Sequence, residues 1–397
     1  MHNASLWMDM ISQIQPTATS FRSGSAKVIT DLLAKGDIHV NGSRPWDLKI
    51  HHPDFFKRVL GQGTLGLGEA YMQGWWDCDQ LDVSFAKAMS SGLENQLPFN
   101  WILALDLLKS RLFNRQNKAW SKTVAEMHYN LGNEFYRDML DPRMQYTCAY
   151  WTPAGKPRAA NLDEAQENKL DLVCRKLGLK PGMTVLELGC GWGGFAHFAA
   201  ERYGVHVTAY NISTEQVAYA REYNKDLPVD IRLQDYREAE GQYDRVVSIG
   251  MCEHVGARNY RTFFRTIHRC LKDGGLALVH TIGGNHSVTS IEPWLGKYIF
   301  PHAMLPSIAQ LSRAAEDLFV VEDWHNFGPD YDHTLMAWLE RFQSNWHKHE
   351  KEYGQQFYRM WVYYLTICAG SFRARKNQLW QVVLSKGAVP GVYACVR

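Results

Sequence analysis

From Thr184 onward, apolar and polar positions switch repeatedly between the period of a strand and the period of a helix. The strand-like runs are TVLELG, HVTAYNI, DIRLQDY, YDRVVSIG and GGLALVHTIG, and helical patterns such as NYRTFFRTIHRCLK lie between them. Strands that alternate with helices of this length predict a doubly wound parallel sheet. Two later runs, 319–327 and 378–386, predict a final hairpin, and a long helical insertion is expected between them at about 334–373. The pattern therefore predicts an α/β domain with seven strands.

Residues 1–122 follow a different pattern, and we expect them to form a smaller α+β domain ahead of a second domain at 123–397. The segment GQGTLGLGEAYMQGWW predicts Gly-rich turns between short strands, and 101–122 predicts a linker helix with one apolar face. Basic side chains crowd the end of that helix: Lys109, Arg111, Arg115, Lys118 and Lys122. Such a cluster is typical of a solvated linker or of a contact with an anionic membrane surface, and the sequence leaves both open.

Charge and composition exclude several classes of protein. A net charge of +2 over 397 residues provides no general field for nucleic acid. The eight cysteines show no CxxC pairing and no secretory leader is recognisable, which predicts reduced thiols in a cytoplasmic protein. No apolar run approaches the ~18 residues of a membrane span, and no metal-ligand spacing occurs. The 14 Trp and 19 Tyr indicate either a large core or an apolar, π-rich pocket.

The segment VLELGCGWGG, residues 185–194, indicates where a ligand would bind. Its glycines follow a buried strand and open a helix, so the backbone can approach a ligand closely and present N–H groups to it. Alone, this turn could serve a dinucleotide, a sulfonium cofactor or no ligand. No phosphate-binding GxGxxG or GK[ST] motif is present, and Glu187, just before the glycines, suits an ammonium group. These features favour S-adenosylmethionine over NAD, and with it the Rossmann-like fold of class I methyltransferases.

Seven long segments in a fixed order carry a family resemblance. They are HYNLGNEFYRDMLDPRMQYTCAYW, VLELGCGWGG, LQDYR, SIGMCEHVG, LVHTIG, EDWHNFGPDYDHTL and CAGSFRARKNQLWQVV. The chain resembles bacterial cyclopropane-fatty-acyl-phospholipid synthases over its whole length. Mycolic-acid cyclopropane synthases and alkaloid N-methyltransferases share the catalytic half but generally lack the N-terminal part.

The resemblance implies a reaction and its partners. A methylene from S-adenosylmethionine would be added to the cis double bond of an unsaturated acyl chain in a membrane phospholipid. The expected protein is a cytoplasmic homodimer that attaches peripherally to the inner membrane surface, with bound bicarbonate as proton acceptor.

The family's bicarbonate ligands match Cys148, Glu253, His280, the Ile282 backbone and Tyr331. Backbone N–H, tyrosine O–H and imidazole N–H groups can donate to an anion, while Glu253 can accept the bicarbonate hydroxyl. Taken alone, Glu253 beside His254 could equally be an ordinary surface or core hydrogen-bonding pair. His280, inside an apolar strand, could be a core histidine.

For the cofactor, the resemblance implies contacts along three strand ends. Gly189 and Gly191 are expected at the methionine and ribose side, with Glu187 near the amino group or behind it. The second strand ends in TAYNIS without an acidic residue, so Asn211 and Gln216 are expected to bond the ribose. The adenine should meet Gln234, Asp235, Tyr236 and Ile249, and Tyr146 and Thr147 should close over the cofactor.

Cys368 and the reaction outcome leave alternatives. Cys368 is grouped with the catalytic residues because it is expected to line the acyl pocket, and a nucleophilic role is the alternative. Other possible products are methyl-branched, methylene or N-methylated compounds. A catalytically silent lipid-binding protein is a third possibility, although it would predict damage to Glu253, His280 or the glycine turn, and none is seen.

Overall fold

The computed structural model describes residues 24–93, 131–301, 303–387 and 393–397. The predicted basic helix at 101–122 lies outside these residues. The described part contains a seven-stranded sheet, as the sequence predicts, with the strand order β5-β4-β3-β6-β7-β9-β8. Its strands are β3 (Thr184–Leu188), β4 (His206–Asn211), β5 (Val229–Leu233), β6 (Tyr243–Ile249), β7 (Leu271–Gly284), β8 (Val320–Asn326) and β9 (Asn377–Ser385).

Strands β3 to β7 are parallel to one another, and β9 is inserted antiparallel between β7 and β8. The predicted pairing of the last two strands is confirmed, because β8 and β9 are antiparallel neighbours. Two long helices join them, as expected for the insertion at about 334–373, and β9 forms hydrogen bonds with both of its neighbours.

Helices cover both faces of the sheet, because successive strand residues point to opposite sides. Val185 of β3 packs with one helical layer, while Leu186 and Leu188 pack with the other. The helices are α4 (Gly132–Met139), α5 (Leu162–Lys176), α6 (Gly194–Tyr203), α7 (Thr214–Tyr223), α8 (Cys252–Val255), α9 (Tyr260–Cys270), α10 (Pro293–Tyr298) and α11 (Ile308–Ala315). This arrangement confirms the predicted class I methyltransferase fold.

The N-terminal part is more helical than the sequence suggests. It contains α1 (Gly24–Lys35), α2 (Phe55–Met72) and α3 (Leu81–Ser90), with two-residue strands β1 (Lys49–Ile50) and β2 (Trp76–Asp77). The Gly-rich segment predicted as turns is instead most of α2, with a break in helical geometry at Gly63. Glycines are tolerated there because packing outweighs their low helix propensity. At Gly68 a Cβ atom would collide with the buried Trp294 ring.

The predicted insertion is a pair of helices, α12 (Pro329–Asn345) and α13 (Glu350–Arg373). It joins the N-terminal part to the sheet domain. At Gly370 of α13, a Cβ atom would lie 2.7 Å from Phe85 Cβ of α3, so the two helices approach closely. Buried aromatic rings fill the space between these elements, and this packing forms one wall of the cavity described next.

Candidate active site

A cavity of about 530 Å³ opens at the carboxyl ends of the central strands. A sheet of this topology places its ligand site there. All eleven residues expected to bind the cofactor line this cavity: Tyr146, Thr147, Glu187, Gly189, Gly191, Asn211, Gln216, Gln234, Asp235, Tyr236 and Ile249. Of the six residues grouped as catalytic, five also line it: Glu253, His280, Ile282, Tyr331 and Cys368.

The glycine turn between β3 and α6 forms the floor of the cofactor end. Gly189 has φ +82° and Gly191 has φ +53°, a backbone region that strongly favours glycine. At Gly189 a Cβ atom would lie 2.8 Å from the Met251 side chain, whereas at Gly191 it would meet no atom within 4 Å. Gly191 therefore leaves open a space that a ligand can fill.

The end of β4 supplies amide groups rather than a carboxylate. Asn211 Nδ2 donates to the Gly191 carbonyl at 3.0 Å and to Gln216 Oε1 at 2.9 Å. Gln216 is buried, and its Nε2 has no hydrogen-bond partner in the protein. Asn211 thus orients Gln216 so that the amide nitrogen of Gln216 is free to donate to a ligand.

Glu187 lies at the carboxyl end of β3, fully enclosed, and its Oε2 has no hydrogen-bond partner. Burial raises the pKa of Glu187 to about 8, although the positive charge of Lys169 opposes that shift. A buried carboxyl with one unpaired oxygen is costly in the absence of a partner. This group therefore fits a ligand ammonium.

At the part of the cavity expected to hold the adenine, Asp235 and Tyr236 follow β5. Both carboxylate oxygens of Asp235 accept hydrogen bonds from the Arg237 side chain, at 2.8 and 3.0 Å. This partly occupies the carboxylate that was expected to accept the adenine amine. The Tyr236 hydroxyl is buried without a partner, and the ring packs edge-on against Phe263 at 5.7 Å between centroids.

Tyr146 and Thr147 lie on a segment that crosses over the cofactor end. The Tyr146 hydroxyl is 2.8 Å from the Tyr364 hydroxyl of α13. At Gly250 a Cβ atom would lie 2.5 Å from Thr147 Cγ2. The segment is therefore fixed between the insertion helices and the turn after β6.

Glu253 of α8 is buried, with a relative exposure of 6%, so the alternative of a surface pair is wrong. Its Oε1 accepts a hydrogen bond from the Ile282 backbone N–H at 2.6 Å, and its Oε2 has no partner. Burial raises the pKa of Glu253 to about 7. The Ile282 N–H, expected to meet an anion, is thus already engaged by Glu253.

His280 of β7 is buried, and burial lowers its pKa well below the ordinary histidine value. Its Nδ1 is 3.3 Å from Gln381 Nε2, while its Nε2 has no partner. A glutamine amide nitrogen can only donate, so we assign the proton of the neutral ring to Nε2. That assignment gives His280 one free N–H.

The other two residues expected to bind bicarbonate, Tyr331 and Cys148, differ in their position relative to the cavity. Tyr331 lines the cavity, stacked on Phe372 at 4.6 Å between centroids. Cys148 lies behind the wall and does not line the cavity. Its Sγ is 3.2 Å from the Ala149 carbonyl oxygen, and burial raises its pKa far above the usual thiol value. The Cys148 side chain therefore does not reach the cavity as a ligand, and its position is that of a residue that contributes through packing and backbone.

Cys368 of α13 lines the wide end of the cavity, where burial raises its pKa to about 12. A thiol in this state is a poor nucleophile at neutral pH. Aromatic and aliphatic side chains surround it, and they include three residues that the sequence analysis did not select: Phe300, Tyr364 and Phe372. Tyr364 and Phe372 fall at the helical spacing of an ordinary apolar core, and Phe300 is a single aromatic residue after α10, so no sequence signal singles them out.

Gln381 and Lys169 are further functional residues that were not predicted from the sequence. Gln381 sits in an apolar strand, and only its pairing with His280 shows why an amide is there. Lys169 could have been noticed, since it interrupts the apolar face of α5 and is completely buried.

The residues that line the cavity fit both of the expected small molecules, S-adenosylmethionine and bicarbonate. For S-adenosylmethionine, the cavity that includes the open space at Gly191 is also lined by three residues with unpaired buried polar atoms, Glu187, Gln216 and Tyr236. For an oxyanion with a hydroxyl, the unpaired Glu253 Oε2 and His280 Nε2 supply one acceptor and one donor. Buried polar atoms are rarely left unpaired without a functional reason.

Comparison with known proteins identifies the family of the chain. The sequence model described as "Mycolic acid cyclopropane synthetase" matches residues 115–382. The chain belongs to this family. It is 51% identical over 366 residues to the cyclopropane-fatty-acyl-phospholipid synthase of Escherichia coli strain K12, covering 92% of this chain and 94% of that protein. These matches confirm the resemblance and show that the protein is an S-adenosylmethionine-dependent methyltransferase.

More distant relatives and solved structures extend the comparison. A probable fatty acid methyltransferase of Pseudomonas putida is 34% identical, covering 69% of this chain and 72% of its own. The cyclopropane synthase MmaA2 from Mycobacterium tuberculosis matches with a TM-score of 0.62 and 30% identity, covering 67% of this chain and 98% of that one. CmaA1, solved with S-adenosylhomocysteine, matches with a TM-score of 0.62, 32% identity and the same coverage. Coclaurine N-methyltransferase, at 21% identity, shares the fold.

Proposed function

We propose that the protein adds a methylene from S-adenosylmethionine to the cis double bond of an unsaturated acyl chain in phospholipid, forming a cyclopropane ring. Bicarbonate bound at Glu253 and His280 is the proposed proton acceptor. The observation that carries this proposal is the pair of unpaired buried atoms, Glu253 Oε2 and His280 Nε2, in the cavity that also holds the cofactor residues. Simple transfer of a methyl to an amine would not need such an anion site.

The chain's own residues can bind and orient both reactants. When bound, S-adenosylmethionine supplies the methyl group. Glu187 would bind its ammonium, and Gln216 would donate to the ribose. An alkene is a weak nucleophile, so holding it in line with the methyl is the protein's main contribution.

The aromatic wall stabilises positive charge on the acyl chain and keeps water out. Phe300, Tyr364 and Phe372 line the wide end, and Tyr331 stacks on Phe372. Faces of such rings attract a cation by ~2 kcal/mol or more when water is excluded. Without that exclusion, water would capture the cation as an alcohol.

Removal of a proton is the step that distinguishes ring closure from methylation. When bound, bicarbonate would supply the basic oxygen. His280 Nε2–H would donate to this anion, and Glu253 Oε2 would accept its hydroxyl. Glu253 is held in place by the Ile282 N–H, and His280 by Gln381.

Attachment to a membrane surface, a homodimeric state and a cytoplasmic location are parts of the same proposal. None of the described helices is long and apolar enough to cross a membrane. A phospholipid acyl chain must nevertheless leave the bilayer to reach the cavity, which favours peripheral attachment. In a dimer, two weak surface contacts would act together. Equilibrium sedimentation tests the homodimeric state, and vesicle binding tests the attachment to a membrane surface. Both tests are independent of catalysis.

A labelled methyl group provides the decisive test of the reaction. The protein is incubated with vesicles of unsaturated phospholipid and S-adenosylmethionine whose methyl carries three deuterium atoms. Ring closure leaves two deuterium atoms in the product and consumes the double bond. Retention of three would show a methylated product and overturn the proposal, as would transfer to the head group alone.

A further inference from the structure

The segment Met144–Thr147, here called the cofactor strap, forms one wall of the cofactor end of the cavity. It packs on Gly194 at the start of α6 and on Gly250 in the turn after β6. A Cβ atom at Gly194 would collide with the Gln145 amide nitrogen, and one at Gly250 would collide with Thr147. The position of the strap therefore determines the width of the cofactor site.

Helix α5 holds the strap from behind with two buried polar side chains. Gln166 Nε2 donates to the Thr147 carbonyl at 2.8 Å. Lys169 Nζ donates to Gln145 Oε1 at 2.6 Å and to Thr147 Oγ1 at 2.9 Å. Lys169 is 0% exposed, so its ammonium depends on these protein groups.

Lys169 also acts electrostatically on two buried carboxyl groups, those of Asp141 and Glu187. Asp141 and Glu187 act on it electrostatically, as does Cys148, while Lys169 itself acts on His280. Burial lowers the pKa of Lys169 to about 8, and Asp141 is the main group that opposes this shift. In turn, Lys169 acts on Glu187. Burial raises the pKa of Glu187, and the positive charge of Lys169 opposes that increase by favouring the ionised form.

We propose that Lys169 is a positioning residue for cofactor binding: it holds the strap through Gln145 and Thr147, and its buried ammonium favours negative charge on the Glu187 carboxyl. This inference rests on the proposed contact between Glu187 and the ammonium of the cofactor. It concerns affinity, so it can fail while the proposed reaction stands.

The test is the affinity of Lys169→Met for S-adenosylhomocysteine, which carries the same amino group, measured by calorimetry from pH 6 to 8.5. At pH 7 we expect the dissociation constant to rise by at least about tenfold, as for loss of a charged hydrogen bond. The ratio of variant to wild-type dissociation constants should then fall as the pH rises. Two changes cause this fall in the ratio. At higher pH Glu187 becomes ionised in the variant, and Lys169 loses its charge in the wild type. Titration of the ligand itself is common to both proteins and cancels in the ratio.

Two further variants separate this role from a purely structural one. Lys169→Gln retains a donor but not the charge, and it should show the same pH trend with a smaller loss; it also serves if Lys169→Met does not fold. The matched control is Lys176→Met, seven residues along the same helix, where a buried lysine pairs with Asp323 at 3.1 Å outside the cavity. It should bind the ligand normally. A pH-independent ratio, or full affinity in Lys169→Gln, would overturn the proposal.

Discussion

Replacing Glu253 with glutamine should abolish most of the turnover and leave the cofactor site intact. Glutamine can still accept the Ile282 N–H through its Oε1, as Glu253 does at 2.6 Å. Its amide nitrogen, however, replaces the unpaired Oε2, so a donor stands where the proposed bicarbonate hydroxyl needs an acceptor. General acid–base groups contribute about 10²–10⁴ in rate, or roughly 3–5 kcal/mol in the barrier.

The pKa of this carboxyl adds a second measurable consequence. Burial raises it from 4.5 to about 7, so the folded protein favours the protonated acid. The stabilising contribution of Glu253 is therefore complete below pH 4.5 and is lost as the pH rises through about 7. That loss amounts to about 3 kcal/mol, and Glu253→Gln does not suffer it. The variant should be the more stable protein at pH 8, and the difference should disappear near pH 4.5.

Three assays examine the same variant. Turnover is measured as ring formation in vesicle lipids, cofactor affinity by calorimetry and stability by denaturant titration at two pH values. Glu222→Gln serves as the matched control, since Glu222 is exposed and pairs with Lys225 far from the cavity. A loss of cofactor affinity as large as the loss of rate would refute the assignment of Glu253 to the anion, and so would normal turnover.

Other substitutions probe the remaining parts of the site. Gly191→Val should reduce S-adenosylmethionine affinity by at least about tenfold, because φ is +53° and the new side chain fills the ligand space; unchanged affinity by calorimetry would show that the pocket is misplaced. Cys368→Ser should retain most activity, because a buried thiol with a pKa of about 12 lines the pocket without reacting; a folded, cofactor-binding but inactive variant would restore the nucleophile hypothesis. Changing Lys109, Arg111 and Arg115 together to Gln should weaken sedimentation with anionic vesicles at low salt, by ~1 kcal/mol per charge, while cofactor affinity stays constant. Salt-independent binding would instead indicate an apolar anchor.

Local patterns were enough to predict the sheet domain. The alternation of strands and helices from Thr184 predicts the parallel sheet, and VLELGCGWGG predicts the glycine turn at the end of β3. Each element of these patterns depends on residues close together in the sequence, because it reflects backbone geometry and burial of one face. The same reasoning failed for the Gly-rich segment of α2. There, close packing of Gly68 on the distant Trp294 outweighs local propensity.

The sequence by itself determined the family, the class of cofactor and the side chains that gather at the strand ends. Only the tertiary structure decided how those side chains are paired. It engages the Ile282 N–H with Glu253, places Cys148 behind the wall and brings Gln381 to His280. It also places Lys169 beneath the cofactor strap. Hydrogen bonds of this kind join residues up to about a hundred positions apart, and burial in a medium of low polarity sets their strength, so no local pattern encodes them.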